Sequence, residues 1–310
     1  MSTSRPKVFI DGEHGTTGLQ IVERLAKRND LELLTLPFEE RRSVEARRAR
    51  LRAADVSILC LPDDAAREAV ALADGETRFI DASTAHRTDP DWVFGFKELQ
   101  PAQPALIAKA DRVSNPGCYS TGAIALLRPL TQAGLLERDA LVTINAVSGY
   151  TGGGKALIAR MEGDAADAIS SSHYLYATGL AHKHVPEITQ HSLLQVRPIF
   201  TPAVGRFAKG MIVQIPLHAA QVAGAPREIV HETLLKHYRK RGHVRVVPLQ
   251  ESDALERIEA DALAGEDTMN LHVFGHEGQL NLVAVLDNLG KGASGACVQA
   301  LDLMVGAAEA

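Results

Sequence analysis

"VFIDGEHGTTGLQIVERL", residues 8–25, passes from an apolar run through three glycines into a helical pattern. "KVFI" (7–10) reads as a strand. In "LQIVERLAKR" (19–28) the apolar residues at 19, 21, 22, 25 and 26 share one face of a helix. Between them stand Gly12, Gly15 and Gly18. A glycine-rich turn that opens a helix is a phosphate cradle. Glycine lets a pyrophosphate approach the backbone, and the helix N-terminus favours negative charge. The spacing is GxxGxxG, one position away from the regular GxGxxG fingerprint. A plain tight turn is the simpler reading. The strand–turn–helix context favours dinucleotide binding, with Gly12, Gly15, Thr16, Thr17 and Gly18 as cofactor residues.

The same alternation continues outward. "LELLTL" (31–36), "VSILCL" (56–61) and "RFIDAS" (78–83) read as strands. "DDAAREAVALA" (63–73) reads as a helix capped by Asp63 or Asp64. Strands alternating with helices indicate a doubly wound parallel α/β sheet. Beyond residue 140 the pattern changes. "LVTINAVSG" (141–149), "GMIVQIPLH" (210–218), "VRVVPL" (244–249), "LHVFGH" (271–276) and "QLNLVAVLD" (279–287) read as strands. The last two flank a hairpin turn. "PREIVHETLLKHYRKRG" (226–242) and "ASGACVQALDLMVG" (293–306) read as helices. This part is expected to be a second, α+β domain.

Composition bounds the partners. The 310 residues are 45% hydrophobic and 23% charged, with net charge −5, an ordinary globular mix with no basic excess for nucleic acid. No apolar run approaches the ~18 residues of a membrane span. No signal peptide precedes the first strand, and three scattered cysteines make no disulfide framework. A cytoplasmic protein without nucleic-acid or membrane partners is expected.

After the second strand, "TLPFEERR" offers Glu39 and Glu40 but also Arg41 and Arg42. An acid there favours NAD, and an arginine favours a 2′-phosphate, hence NADP. The segment leans to NADP, although arginines at 41–52 also fit a solvated helix face. "GYTGGGKA" (149–156) imitates a P-loop, but Ala156 stands where Mg²⁺ needs Ser or Thr. A loop that lets substrate or nicotinamide approach backbone is the better reading.

"SNPGCYSTGA" (114–123) sets Cys118 between a Pro116–Gly117 corner and a helical pattern. At a helix N-terminus the dipole and backbone N–H groups favour thiolate, so the pKa falls from about 8.5 to roughly 3.5–7.5. Asn115 is placed to donate to an oxyanion. Cys60 and Cys297, within apolar patterns, suit structural roles instead. "GLAHKHVPEITQHS" carries His182, His184, Glu187 and His191. Read as a strand, it points His182 and His184 to opposite sides, and no cysteine cluster completes a metal site. Acid–base work by one histidine, with Glu187 orienting it or the substrate, is the better expectation. Thiol, histidine and nicotinamide together point to reduction of an activated acyl group through a thioester.

These residues resemble the N-acetyl-γ-glutamyl-phosphate reductase family, in its shorter subgroup. The resemblance rests on "DGEHGTTG", "DASTAHR" (81–87), "NPGCYSTG", "SGYTGGGK", "HKHVPEI" and "NLGKGASGACVQ" (288–299), in the family's order. Ser120 departs from it where members often carry proline. The resemblance implies a Rossmann-type domain over 1–117 plus 288–310. It implies a catalytic and oligomerisation domain of the semialdehyde dehydrogenase type over 118–287. The implied activity is NADPH-dependent reduction of N-acetyl-γ-glutamyl phosphate to the semialdehyde, in arginine biosynthesis. The implied nucleophile is Cys118, with His184 as acid/base, His182 as its competitor and Glu187 assisting. Ser83 and Arg87 are expected at the substrate or its phosphate, with Asn115 and His182. Pro62, Ser148, Gly149, Asn288 and Lys291 join the cofactor residues. A homo-oligomer, dimer or tetramer, is implied. The competing readings are a related semialdehyde dehydrogenase, acting on aspartate semialdehyde or a carrier-linked homologue, and a non-catalytic dinucleotide sensor.

Overall fold

The computed structural model describes residues 5–73, 77–239 and 242–307. They form two compact units. The first comprises the described residues of 1–97, 101–116 and 293–310, the second those of 98–100 and 117–292.

In the first unit the glycine loop joins β1 (Lys7–Asp11) to α1 (Thr16–Leu25). Then come β2 (Glu32–Leu34), α2 (Val44–Ala53), β3 (Val56–Leu59), α3 (Asp63–Leu72) and β4 (Arg78–Asp81). Short β5 (Val93–Phe94), α4 (Gln103–Lys109) and β6 (Arg112–Ser114) complete a six-stranded sheet of order β2-β1-β3-β4-β6-β5. All its pairings are parallel. Parallel strands are covered on both faces, which is why β3, apolar except for Ser57, is buried at every position. One core layer joins Val8, Ile21, Leu25 and Ile107 to Cys297 and Leu301. The opposite layer joins Phe9, Leu51, Ala66 and Phe79. The chain's last helix therefore packs in this unit.

Neither Asp63 nor Asp64 caps α3. Pro62 takes that position, and the Asp63 carboxylate accepts Thr84 N–H at 2.9 Å.

The second unit opens with α5 (Cys118–Gln132), followed by β7 (Thr143–Gly149), α6 (Gly154–Glu162) and β8 (His173–Leu175). It continues through α7 (Val185–His191), β9 (Ile199–Gly205), β10 (Met211–His218) and α8 (Arg227–Tyr238). It closes with β11 (Val244–Val246), α9 (Leu249–Asp253), β12 (Met269–His276) and β13 (Gln279–Leu286); α10 (Gly295–Val305) belongs to the first unit. Its seven-stranded sheet has order β11-β12-β13-β10-β7-β9-β8 and is mixed. The helix expected at 226–242 ends at Tyr238, and Lys240 and Arg241 lie outside the described residues. Segment 288–292, expected with the first unit, clusters with the second. Its side chains explain this: Asn288 Oδ1 accepts Gly210 N–H at 2.8 Å, and Lys291 Nζ donates to Glu98 at 2.7 Å.

Helix α5 is the buried centre of this unit. Pro129 lies inside it and has no N–H to give the carbonyl of Ala125. The buried Tyr238 hydroxyl donates to that carbonyl at 2.8 Å. Arg128 ties α5 to the end of α7, donating to His191 O at 3.0 Å.

Candidate active site

In the first unit, Gly12 has φ +91°, and a Cβ there would collide with Cys60 O. Only glycine holds this left-handed turn without strain. Gly15 donates to Gly12 O at 3.0 Å and is the N-cap of α1, so Thr16, Thr17 and Gly18 form the helix's first turn. A cleft of about 260 Å³ borders the loop, lined among others by Gly12, His14, Gly15, Arg41 and Arg42. Two of these residues meet on Phe38: the Arg41 guanidinium lies 3.4 Å over its ring, and His14 meets it edge-on at 4.9 Å. Arg42 is exposed. Beneath the loop, Arg47 holds Asp11 through Nε (3.0 Å) and Nη2 (2.8 Å). Burial raises the Asp11 pKa, and Arg47 opposes it. One arginine of the basic run thus points into the core. These features fit a dinucleotide: a cradle that a Cβ would fill, a helix N-terminus, and cations at the end of β2.

The "DASTAHR" segment is organised by Asp81, which is fully buried. Its carboxylate accepts Ser83 N–H (2.9 Å) and Oγ–H (2.7 Å) and contacts His86 Nδ1 (2.7 Å). His86 stacks on Trp92 at 4.0 Å. The Ser83 hydroxyl also accepts Ala85 N–H at 3.1 Å, so it shapes the loop. Arg87 is buried and donates to Ala82 O at 3.1 Å. Asn115 Nδ2 donates to Ala293 O at 3.0 Å, while its buried Oδ1 has no hydrogen-bond partner among the described residues.

In the second unit Cys118 is the first residue of α5, with Gly117 as N-cap. The thiol carbon therefore starts at the positive end of a 15-residue helix, where anionic sulfur is favoured. Gly117 N–H donates to the buried Glu187 Oε2 at 3.2 Å, so Glu187 fixes the corner before the thiol. The other two cysteines differ. Burial, and after it Asp81 and Asp11, push Cys60 up to about 12. Cys297 is raised by burial first, then by Cys60 and Asp81.

The histidines correct the strand reading. Residues 183–184 form a turn, and His184 is the N-cap of α7, with Pro186 in the first turn. The turn brings both rings to one side, 4.6 Å apart, and both pack on Tyr119, at 5.8 and 5.9 Å. Tyr119, the residue after Cys118, is a member the sequence reading did not single out. The Pro at the start of "VPEITQH" is the sequence signal for this helix.

Hydrogen bonds fix the protons here. His184 N–H donates to His182 Nδ1 at 3.1 Å, so that nitrogen carries a lone pair and the proton sits on Nε2. Nε2 lies 3.1 Å from Tyr176 Oη and donates to it. Tyr119 gives its proton to Ala203 O at 2.9 Å. Burial first raises the pKa of both tyrosines. Both ring nitrogens of His182 are thus engaged in the scaffold. Tyr176 arrives on a loop with Ala177 and Leu180 at φ 49° and 56°.

Ser148 and Gly149 end β7. Ser148 Oγ donates to Gly149 O at 3.0 Å, and Gly149 N–H donates to Gly210 O at 2.9 Å. Asn288 Nδ2 donates to Thr151 Oγ1 at 3.0 Å, joining this loop to the one after β13. The expected cofactor residues are therefore divided: those of the glycine loop, Arg41, Arg42 and Pro62 lie in the first unit, and Ser148, Gly149, Asn288 and Lys291 in the second. Among the described residues no group of three or more His, Cys, Asp or Glu is placed for a metal ion, and no helix is long and apolar enough to cross a membrane.

Comparison with known proteins agrees with both halves. Residues 7–107 match the family described as semialdehyde dehydrogenase, NAD binding domain, and residues 118–288 the semialdehyde dehydrogenase dimerisation domain. The N-acetyl-gamma-glutamyl-phosphate reductase of Sinorhizobium medicae is 58% identical over 309 residues, covering 98% of this chain and 100% of that protein. Among solved structures, aspartate semialdehyde dehydrogenase II from Vibrio cholerae has a TM-score of 0.71 at 19% identity, covering 97% of this chain and 99% of that one. The Candida albicans aspartate semialdehyde dehydrogenase with NADP has 0.69 at 14% identity, covering 97% and 98%. These two structures show the shared fold.

Proposed function

The chain belongs to the semialdehyde dehydrogenase family, and from that premise we propose that it is the N-acetyl-γ-glutamyl-phosphate reductase of arginine biosynthesis. It reduces N-acetyl-γ-glutamyl phosphate with NADPH to N-acetyl-L-glutamate 5-semialdehyde and phosphate, reversibly. The observation that carries the reading is Cys118 at the first turn of α5, with Glu187 on the preceding N–H and two histidines on the following tyrosine. The full-length relative of that name supports the substrate.

The Cys118 thiolate attacks the γ-carbonyl carbon, the bond from carbon to the phosphate oxygen breaks, and phosphate leaves with the electron pair. A thioester on Cys118 remains. When bound, NADPH would supply the hydride for its reduction. His184 donates a proton to the carbonyl oxygen, giving a thiohemiacetal on Cys118. It takes the proton back as the C–S bond breaks and aldehyde and thiolate separate. His182 is a positioning residue, since a proton on its Nδ1 would eject the backbone N–H of His184. Glu187 holds the corner, and Arg87 receives an anionic group of the substrate. The glycine loop would hold the pyrophosphate of the coenzyme, and Arg42 its 2′-phosphate.

We place the enzyme in the cytoplasm, in keeping with three free cysteines, and as a homo-oligomer, in keeping with the dimerisation domain it matches. The test is NADP reduction with N-acetylglutamate semialdehyde, with and without phosphate, beside aspartate semialdehyde. Phosphate-dependent turnover on the acetylated substrate is expected. Preference for aspartate semialdehyde would replace this reading with the neighbouring activity, and cofactor binding without turnover on either would leave a sensor.

A further inference from the structure

Lys291 and Glu98 form an ion pair sealed from solvent. Nζ donates to Oε2 at 2.7 Å, and each residue is 1% exposed. His243 Nδ1 stands 3.9 Å from the other Glu98 oxygen. A pair this deep gains little stability, because desolvation offsets the attraction. Its value is geometric, and its neighbour shows what it positions. Gly292 lies against the start of α5: a Cβ on it would stand 2.8 Å from Cys118 Cβ and 3.2 Å from Cys118 Cα. The segment leading there is pinned by Asp287. Its Oδ1 accepts Leu289 N–H (2.7 Å) and Gly290 N–H (3.2 Å), and its carbonyl accepts Gly292 N–H (2.9 Å). Asp287 fixes the near end of this turn, and Lys291 fixes the end that touches the thiol residue.

We propose that Lys291 is a positioning residue for the nucleophile: paired with Glu98, it seats Gly292 against Cys118 and so sets where the sulfur stands at the helix N-terminus. The proposal rests on Cys118 being the nucleophile. It gives Lys291 a role other than cofactor contact, one that its bond to Glu98 supplies.

The test is the double variant Lys291→Met/Glu98→Leu, which removes both charges and leaves no lone buried ion. Three quantities are measured: the rate of Cys118 alkylation by iodoacetamide as a function of pH, kcat, and NADPH affinity by fluorescence. Expected are a displaced alkylation profile, a fall in kcat of order tenfold to a hundredfold from misplacement of the sulfur, and unchanged NADPH affinity. A folded double variant with the parent's alkylation profile overturns the proposal, as does one whose NADPH affinity drops about tenfold, the mark of a lost charged contact. Gly292→Ala keeps the pair and presses on Cys118 directly. It too is expected to displace the alkylation profile, and an unchanged profile overturns the proposal even if the double variant does not fold. Alkylation is read without turnover, so its outcome is separate from that of the proposed reaction, which fails instead if Cys118→Ala retains full turnover.

Discussion

His182 accepts the backbone N–H of His184 on its Nδ1 at 3.1 Å, so the first histidine orders the second. The two are therefore expected to fail differently. His184→Asn should lower kcat by about 10²–10⁴, the usual worth of a general acid–base group, and erase the pH dependence of that limb. His182→Asn should cost less and keep a pH-dependent limb. Steady-state pH profiles of both variants check this, and the reverse pattern would exchange the roles.

Thiol chemistry separates the three cysteines. Burial pushes Cys60 up to about 12 and raises Cys297 as well. At neutral pH both remain thiols, so one equivalent of iodoacetamide should label Cys118, as peptide mapping would show. The same shift sets a stability slope. Above the ordinary thiol pKa the unfolded chain loses protons that the folded chain keeps at Cys60. Stability should fall as pH rises from about 9 to about 12. Cys60→Ser should flatten that slope in denaturant titrations.

Coenzyme choice should rest on Arg42. Arg41 is laid over Phe38, whereas Arg42 borders the cleft and is exposed. Arg42→Ala should weaken NADPH binding about tenfold to a hundredfold, the worth of a charged hydrogen bond, and leave NADH binding unchanged. Fluorescence titration with both coenzymes measures it. Equal weakening of both would place the 2′-phosphate elsewhere.

Tyr238→Phe should destabilise the second unit by about 1–3 kcal/mol, because the Ala125 carbonyl freed by Pro129 is left buried without a donor. Chemical denaturation checks this. A neutral outcome would mean that the helix finds another partner for that carbonyl.

Legibility in the sequence followed burial and length. Strands such as β3, covered on both faces, announce themselves as apolar runs. β5 and β6, of two and three residues, are too short to carry a period. β9 contains Pro202, which reads as a strand breaker. Cys118 was legible because Pro116, Gly117 and the helical pattern mark its corner. The histidine segment was misread as a strand because alternation of His182 and His184 outweighed Pro186, the signal of a helix start. Tyr176 and Glu98 were not legible at all: Tyr176 meets His182 through an irregular loop, and Glu98 meets Lys291 from far along the chain, relations that no local period encodes.

The central claim is a covalent one, and it is tested by incubating the protein with N-acetyl-γ-glutamyl phosphate in the absence of NADPH. The account predicts stoichiometric phosphate release and an N-acetylglutamyl thioester on the peptide carrying Cys118, both abolished in Cys118→Ala. Full NADPH-dependent turnover by Cys118→Ala, with no acylated peptide in the parent protein, would contradict it.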